Sequence, residues 1–158
     1  MVGGSSCPPC TAASNRSRAV QSAAPFGIPV TAKFRMGLDD SFRTDRDAAL
    51  ICADEGVAWV AMHARTVEQH YSGDARWGAI TQLKEVVVDA GHNIPVLGNG
   101  DIWEAQDAID MMTQTGCDGV VIGRGCLGRL GCFPTLSRRL PVVRCQQQER
   151  WVRSLTSC

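Results

Sequence analysis

The sequence predicts an α/β fold made of four consecutive parallel β/α units, the arrangement that repeats in a (β/α)8 barrel. Three observations carry this. Short apolar runs alternate with helix-patterned segments between residues 28 and 128, at a period of roughly thirty residues. A glycine follows each of the three helix patterns directly or one residue on, where a helix stop belongs. The strand-like runs are nearly continuous in apolar residues, as expected of parallel strands covered on both faces.

Taken in order, Ile28–Met36 is the first strand. Thr44–Glu55 is a helix with Ala48, Ala49, Ile51 and Cys52 at helical spacing, stopped by Gly56. Val57–His63 is the second strand. Trp77–Ala90 is a helix with Ile80, Leu83, Val87 and Val88 on one face, stopped by Gly91. Ile94–Gly98 is the third strand. Glu104–Thr115 is the third helix, with Ala105, Ala108, Ile109 and Met112 inward and Gly116 as its cap. Asp118–Gly123 is the fourth strand. Strand–helix–strand units of this length close with right-handed crossovers.

The flanks differ in kind. Residues 1–27, rich in Ser, Ala, Pro and Arg, are expected to be an irregular or disordered tail. Residues 129–158 carry scattered Arg, Gln and Cys with no amphipathic stripe, and are expected to be a second irregular tail.

Composition narrows the function. Of 158 residues, 44% are hydrophobic and 20% charged, which is globular rather than disordered. Lys and Arg number 16, as do Asp and Glu, so the totals show no strongly basic nucleic-acid module. No apolar run approaches the roughly 20 residues of a membrane span. The first ten residues lack both the basic and the apolar region of a signal peptide, so a cytoplasmic setting without membrane attachment is expected. Eight cysteines would suit a disulfide framework only in a secreted chain. Cys52 and Cys117 fall inside apolar-periodic segments, as small core residues do. The lone pair Cys7-Pro-Pro-Cys10 has neither the second ligand pair of a zinc site nor the strand and helix of a redox motif, so no metal site is expected.

Polar residues collect at the strand ends: Lys33 and Arg35, His63 and Arg65, Asn99-Gly100-Asp101, and Gly123-Arg124-Gly125. In parallel α/β folds the carboxyl edge of the strands is where ligands bind. Glycines flanking Asn99 and Arg124 let backbone N–H groups approach a phosphate, and they also serve tight turns. The last two units look like the phosphate-binding end of a (β/α)8 barrel.

These segments, in order, resemble the tRNA-dihydrouridine synthase family, closest to its bacterial nitrogen-regulation-like type. The residues that carry the resemblance are Pro29-Val-Thr-Ala-Lys-Phe-Arg35, His63-Ala-Arg-Thr66, Tyr71-Ser-Gly73, Pro95-Val-Leu-Gly-Asn-Gly-Asp-Ile102 and Gly116-Cys-Asp-Gly-Val-Val-Ile-Gly-Arg-Gly125. They span residues 28–128, about two-thirds of the chain. The resemblance implies an FMN-dependent TIM barrel that reduces uridine in tRNA to dihydrouridine with NADPH. Lys33 is then expected near the polar edge of the flavin ring, where a cation stabilises the reduced form. His63 is expected toward flavin and substrate, as the one candidate for a catalytic part. Asn99, Gly100 and Asp101 are expected at the ribityl and phosphate, with Gly123 and Arg124 closing on the phosphate. Arg65 either positions His63 or contacts RNA.

The chain also departs from the family. The family's proton-donating cysteine lies in an Asn-x-Gly-Cys-Pro loop, and neither Cys7 nor Cys10 has that context, so no cysteine is assigned the role. The four strands match the last half of the barrel, so a second chain completing the barrel is an expected partner beside tRNA. After Arg129 the family continues Pro-Trp-Leu-Phe, whereas this chain has Leu130-Gly-Cys-Phe133. One reading frame yields the other by a one-base shift, so residues from about 130 onward are expected to be frame-shifted coding sequence, and the break before Ile28 is a candidate for a second event. Another FMN- or phosphate-binding barrel oxidoreductase, and a relic without function, are the alternatives.

Overall fold

The structure is a computed structural model, and it describes residues 8–127. Its elements are helix α1 (Pro8–Ala23), strand β1 (Ala32–Arg35), helix α2 (Asp45–Asp54), strand β2 (Val60–His63), helix α3 (Trp77–Asp89), strand β3 (Val96–Asn99), helix α4 (Ala105–Thr115) and strand β4 (Gly119–Val120). A turn of 3-10 helix follows at Arg124–Cys126. The sheet is parallel throughout and ordered β1-β2-β3-β4. Neighbours in space are neighbours in chain order, as in a barrel and unlike a doubly wound sheet. Four parallel strands and the three helices that connect them, part of a (β/α)8 barrel, are therefore present among the described residues.

The strands are shorter than the apolar runs that announce them. Ile28–Thr31 and Ile94–Pro95 lie outside the ladder, and the prolines in both runs have no N–H to give it. Helix ends follow the local signals closely. At α4, Glu104 and Asp107 form a reciprocal capping box, and Gly116 closes the helix in the left-handed region.

Strand register separates the two faces of the sheet. Val60, Met62 and Val96 are fully buried and pack with Ala49 and Cys52 of α2, Ile80, Leu83 and Val87 of α3, and Ala108 and Met111 of α4. This single core between sheet and helices is where burial stabilises the fold, at roughly 1.5–3 kcal/mol per large side chain. A Cβ at Gly98 would meet Met111, Ile80 and Cys117, so position 98 faces the helices. Leu97 and Asn99 therefore face the other way. Alternation puts Lys33, Arg35, Ala61 and His63 on that same face. It is the inner face of the barrel and is polar at its carboxyl end, so the expectation of two apolar faces holds for one face only. Met111 rather than Met112 is the buried methionine of α4, one residue from the expected stripe. Cys52 and Cys117 are free thiols in the core.

Helix α1 corrects the expected irregular tail. Its interface with α2 is polar: Ser14 Oγ and Arg18 Nε donate to the Glu55 carboxylate at 2.7 and 2.8 Å, and Gln21 Nε2 donates to the Glu55 carbonyl at 2.5 Å. Positions 14, 18 and 21 recur at helical spacing, so the face is real but carries no apolar signal. Ala, Arg and Gln supply helix propensity instead. Cys10 lies in α1, while Cys7, the expected tail 129–158 and its frame shift lie outside the described residues. Among the described residues, no helix is long and apolar enough to cross a membrane.

Candidate functional site

The inner-face register aligns Arg35, His63 and Asn99 in one row across β1, β2 and β3. Lys33 lies in the row below, beside Ala61 and Leu97. The loops after β3 and β4 complete an open pocket of about 250 Å³. Its wall includes Lys33, Arg35, His63, Asn99, Gly100, Asp101, Gly123 and Arg124. All seven positions assigned above to a cofactor thus fall on one pocket. Arg35, Tyr71, Ile102, Trp103, Val121 and Gly125 share the wall without having been assigned to it. Arg35 was legible: two residues past Lys33 on a strand is the same face. Tyr71 and Trp103 lie in loops, where no periodicity points inward.

Arg65 sits elsewhere. It is 2% exposed, behind the pocket wall. Its Nη2 donates to the Asp101 carboxylate at 2.7 Å and to the Gly73 carbonyl at 2.6 Å. Nε and Nη1 find no acceptor among the described residues. Arg65 therefore holds the Asp101 carboxylate from a buried position. Asp101 also accepts the Ala75 N–H at 2.7 Å and faces Arg124 at 3.9 Å. Its backbone is left-handed, at φ 53°, which Asp tolerates better than most residues. Burial by itself would raise the Asp101 carboxyl. The Arg65 and Ala75 hydrogen bonds and the charges of Arg65 and Arg124 outweigh it and hold the carboxyl below its usual range.

Glycines set the pocket's close contacts. The Gly100 carbonyl accepts Trp77 Nε1–H at 3.1 Å. A Cβ at Gly125 would come within 2.0 Å of the Ile102 carbonyl oxygen, so the loop after β4 lies directly on the loop after β3. Asn99 Nδ2 donates to the Val121 carbonyl at 2.6 Å, which ties β3 to the end of β4.

The electrostatic balance is cationic. Lys33, Arg35 and Arg124 face one carboxylate, Asp101, whose charge is already shared with Arg65. The Lys33 ammonium has no hydrogen bond or ion pair among the described residues, and burial followed by the Arg35 charge pushes its pKa below the ordinary value. Burial also lowers His63, and the Arg35, Lys33 and Arg65 charges add to it, bringing it to about 4 against Asp101. His63 is therefore neutral at pH 7. Its folded pKa lies below the unfolded 6.5, so the unfolded chain binds the extra proton between those values. His63's contribution is intact above pH 6.5 and is lost as pH falls toward about 4. Stability is expected to drop by about 2 kcal/mol between pH 6.5 and about pH 5. Denaturant melts at stepped pH measure this, and His63→Gln should flatten the slope. A slope unchanged in that variant would assign it to other groups.

Fold and site together define a class: a β/α-barrel protein with a cationic ligand pocket at the carboxyl ends of its strands. The sequence profile described as dihydrouridine synthase matches residues 12–152. A probable tRNA-dihydrouridine synthase of Mycobacterium leprae (strain TN) is 60% identical over 110 residues, covering 70% of this chain and 28% of that protein. A probable tRNA-dihydrouridine synthase of Rickettsia typhi (strain ATCC VR-144 / Wilmington) is 43% identical over 102 residues, covering 65% of this chain and 30% of that protein. A tRNA-dihydrouridine synthase B of Xanthomonas axonopodis pv. citri (strain 306) is 43% identical over 106 residues, 67% of this chain and 30% of that protein. The chain belongs to the dihydrouridine synthase family. It spans less than a third of the length of these relatives.

Proposed function

We propose that this chain is the C-terminal half-barrel of a tRNA-dihydrouridine synthase, which holds FMN and reduces uridine in tRNA to 5,6-dihydrouridine with NADPH as reductant. One observation carries the reading: Lys33, His63, Asn99, Asp101 and Arg124, from four consecutive strand ends, line a single cationic pocket. Its residues suit a phosphorylated flavin, because Arg124 offers a cation to the phosphate and Lys33 one to the ring, and neither side chain makes a hydrogen bond among the described residues. A pocket of about 250 Å³ is below the range usual for a cofactor-sized ligand, which suits a site finished by further chain. That remainder, from the same or a second chain, would pair with the edges of β1 and β4 that are unpaired among the described residues.

In this reading residues 28–128 are the working unit. Gly123 and Arg124 hold the phosphate, and Asn99, Gly100 and Asp101 hold the ribityl and phosphate region. Lys33 offers a cation to the ring, where negative charge develops on reduction. The chemistry supplied at such a site by bound FMN is hydride transfer to the uracil double bond. His63, neutral at pH 7, orients flavin or uracil through a hydrogen bond rather than as another cation. No residue of this chain is assigned the proton that completes the reduction. The tRNA substrate places the protein in the cytoplasm.

The test is flavin binding. The purified chain, mixed with FMN and desalted, is expected to keep a flavin absorbance band. Arg124→Ala should weaken FMN about tenfold or more, as expected for losing a charged hydrogen-bond partner. A folded sample that retains no flavin would overturn the cofactor assignment for this chain.

A further inference from the structure

Arg124 is not simply a surface arginine near a pocket. Its guanidinium lies 4.1 Å from the centre of the Tyr71 ring and 5.3 Å from that of Trp103. Both rings are partly exposed, at 58% and 46%. The three residues come from different places: Tyr71 from the loop after β2, Trp103 from the loop after β3, and Arg124 from the 3-10 turn after β4. Tyr71 also lies under Arg35, at 5.8 Å. The three line the same wall of the pocket.

Contact with an aromatic face engages a guanidinium through its flat surface. It leaves the in-plane N–H groups available, and those are the groups that match a phosphate bidentately. Arg124 fits this description. Among the described residues, its side chain has beyond the two rings only the Asp101 carboxylate at 3.9 Å, too long for a hydrogen bond. A half-exposed arginine without such contacts samples many rotamers, and a ligand must pay for restricting them.

We propose that Tyr71 and Trp103 are positioning residues that hold the Arg124 guanidinium between them, so that its N–H groups are pre-aimed at a phosphate monoester and the pocket discriminates a phosphorylated flavin from its dephosphorylated form. The inference rests on the proposed flavin reading and goes beyond it. It assigns the strength of phosphate recognition to two aromatic residues that need not touch the ligand. It also makes phosphate recognition depend on the loops after β2 and β3 as well as on the glycines around Arg124.

The test is a pair of titrations, followed by flavin fluorescence, with FMN and with riboflavin, which lacks the phosphate. Wild type is expected to prefer FMN. Trp103→Leu and Tyr71→Leu should each weaken FMN by about threefold to tenfold, the range of a partly desolvated cation–π contact, with riboflavin unchanged. Trp103→Phe, which restores a ring, should recover most of the loss. Equal weakening of both flavins would place Trp103 and Tyr71 against the flavin ring or in the fold, and would overturn the clamp. So would leucine variants that keep the wild-type preference. A wild-type chain that binds both flavins equally, or neither, overturns the phosphate reading itself, and the clamp with it.

Discussion

Replacing Asp101 with alanine is expected to destabilise the fold by about 3–5 kcal/mol, the cost of stranding a buried charge. The charge stranded is Arg65, which is 2% exposed and whose Nε and Nη1 already have no acceptor among the described residues. Its Nη2 would keep only the Gly73 carbonyl. The Ala75 N–H would lose its acceptor too, and alanine at φ 53° adds backbone strain that aspartate tolerates better. Urea melts of wild type and variant measure the effect as a shift in midpoint. Asp101→Asn, which keeps an acceptor oxygen and tolerates the same φ, should cost about half as much. Pairing it with Arg65→Met should recover stability relative to Asp101→Ala, because no charge is then left buried. An Asp101→Ala variant within about 1 kcal/mol of wild type would show that Arg65 finds another partner and is not held by Asp101.

The second large effect is expected at Gly100. Its φ is +133°, which residues with a side chain rarely adopt. A Cβ there would lie 2.6 Å from the Ala75 Cβ and 3.3 Å from His63 Cδ2. Gly100→Ala therefore combines backbone strain with a clash, and a cost of about 3 kcal/mol is expected. The chain can relieve the clash only by moving the loop at Ala75 or the His63 ring, so the site is disturbed along with the fold. Melts and FMN titration should both respond. A Gly100→Ala variant with wild-type stability and unchanged flavin affinity would mean that this segment relaxes freely and that His63 is not held against it.

How much of this was legible beforehand depended on the kind of signal each residue carried. Leu83 and Val87 announced a buried helix face because their spacing is helical, and both are fully buried. Val88, in the same run, projects off that stripe and is 54% exposed, which spacing alone did not separate. Lys33, His63, Asn99 and Arg124 were recognisable as strand-end residues, and the parallel topology brings all four to one edge. Arg65 was recognisable as part of the same motif, but not as a buried strut, because burial of an arginine has no local signature. Helix α1 escaped notice because its docking face is made of serine, arginine and glutamine, and hydrophobic periodicity cannot report a polar interface.

By itself the sequence determined the order and type of the four strands and the three helices between them, the glycine stops of those helices, and the edge on which polar residues gather. Those properties arise within a turn or a strand, from side-chain spacing and backbone preference. The family followed as well, since its motifs are short and sequential. The tertiary structure alone decided that Arg35, His63 and Asn99 form one row, that Arg65 answers Asp101, and that Arg124 meets the rings of both Tyr71 and Trp103. Each of these pairings joins different strands or the loops between them. Its existence depends on strand register and loop direction, which are set by packing the whole core and by no local pattern.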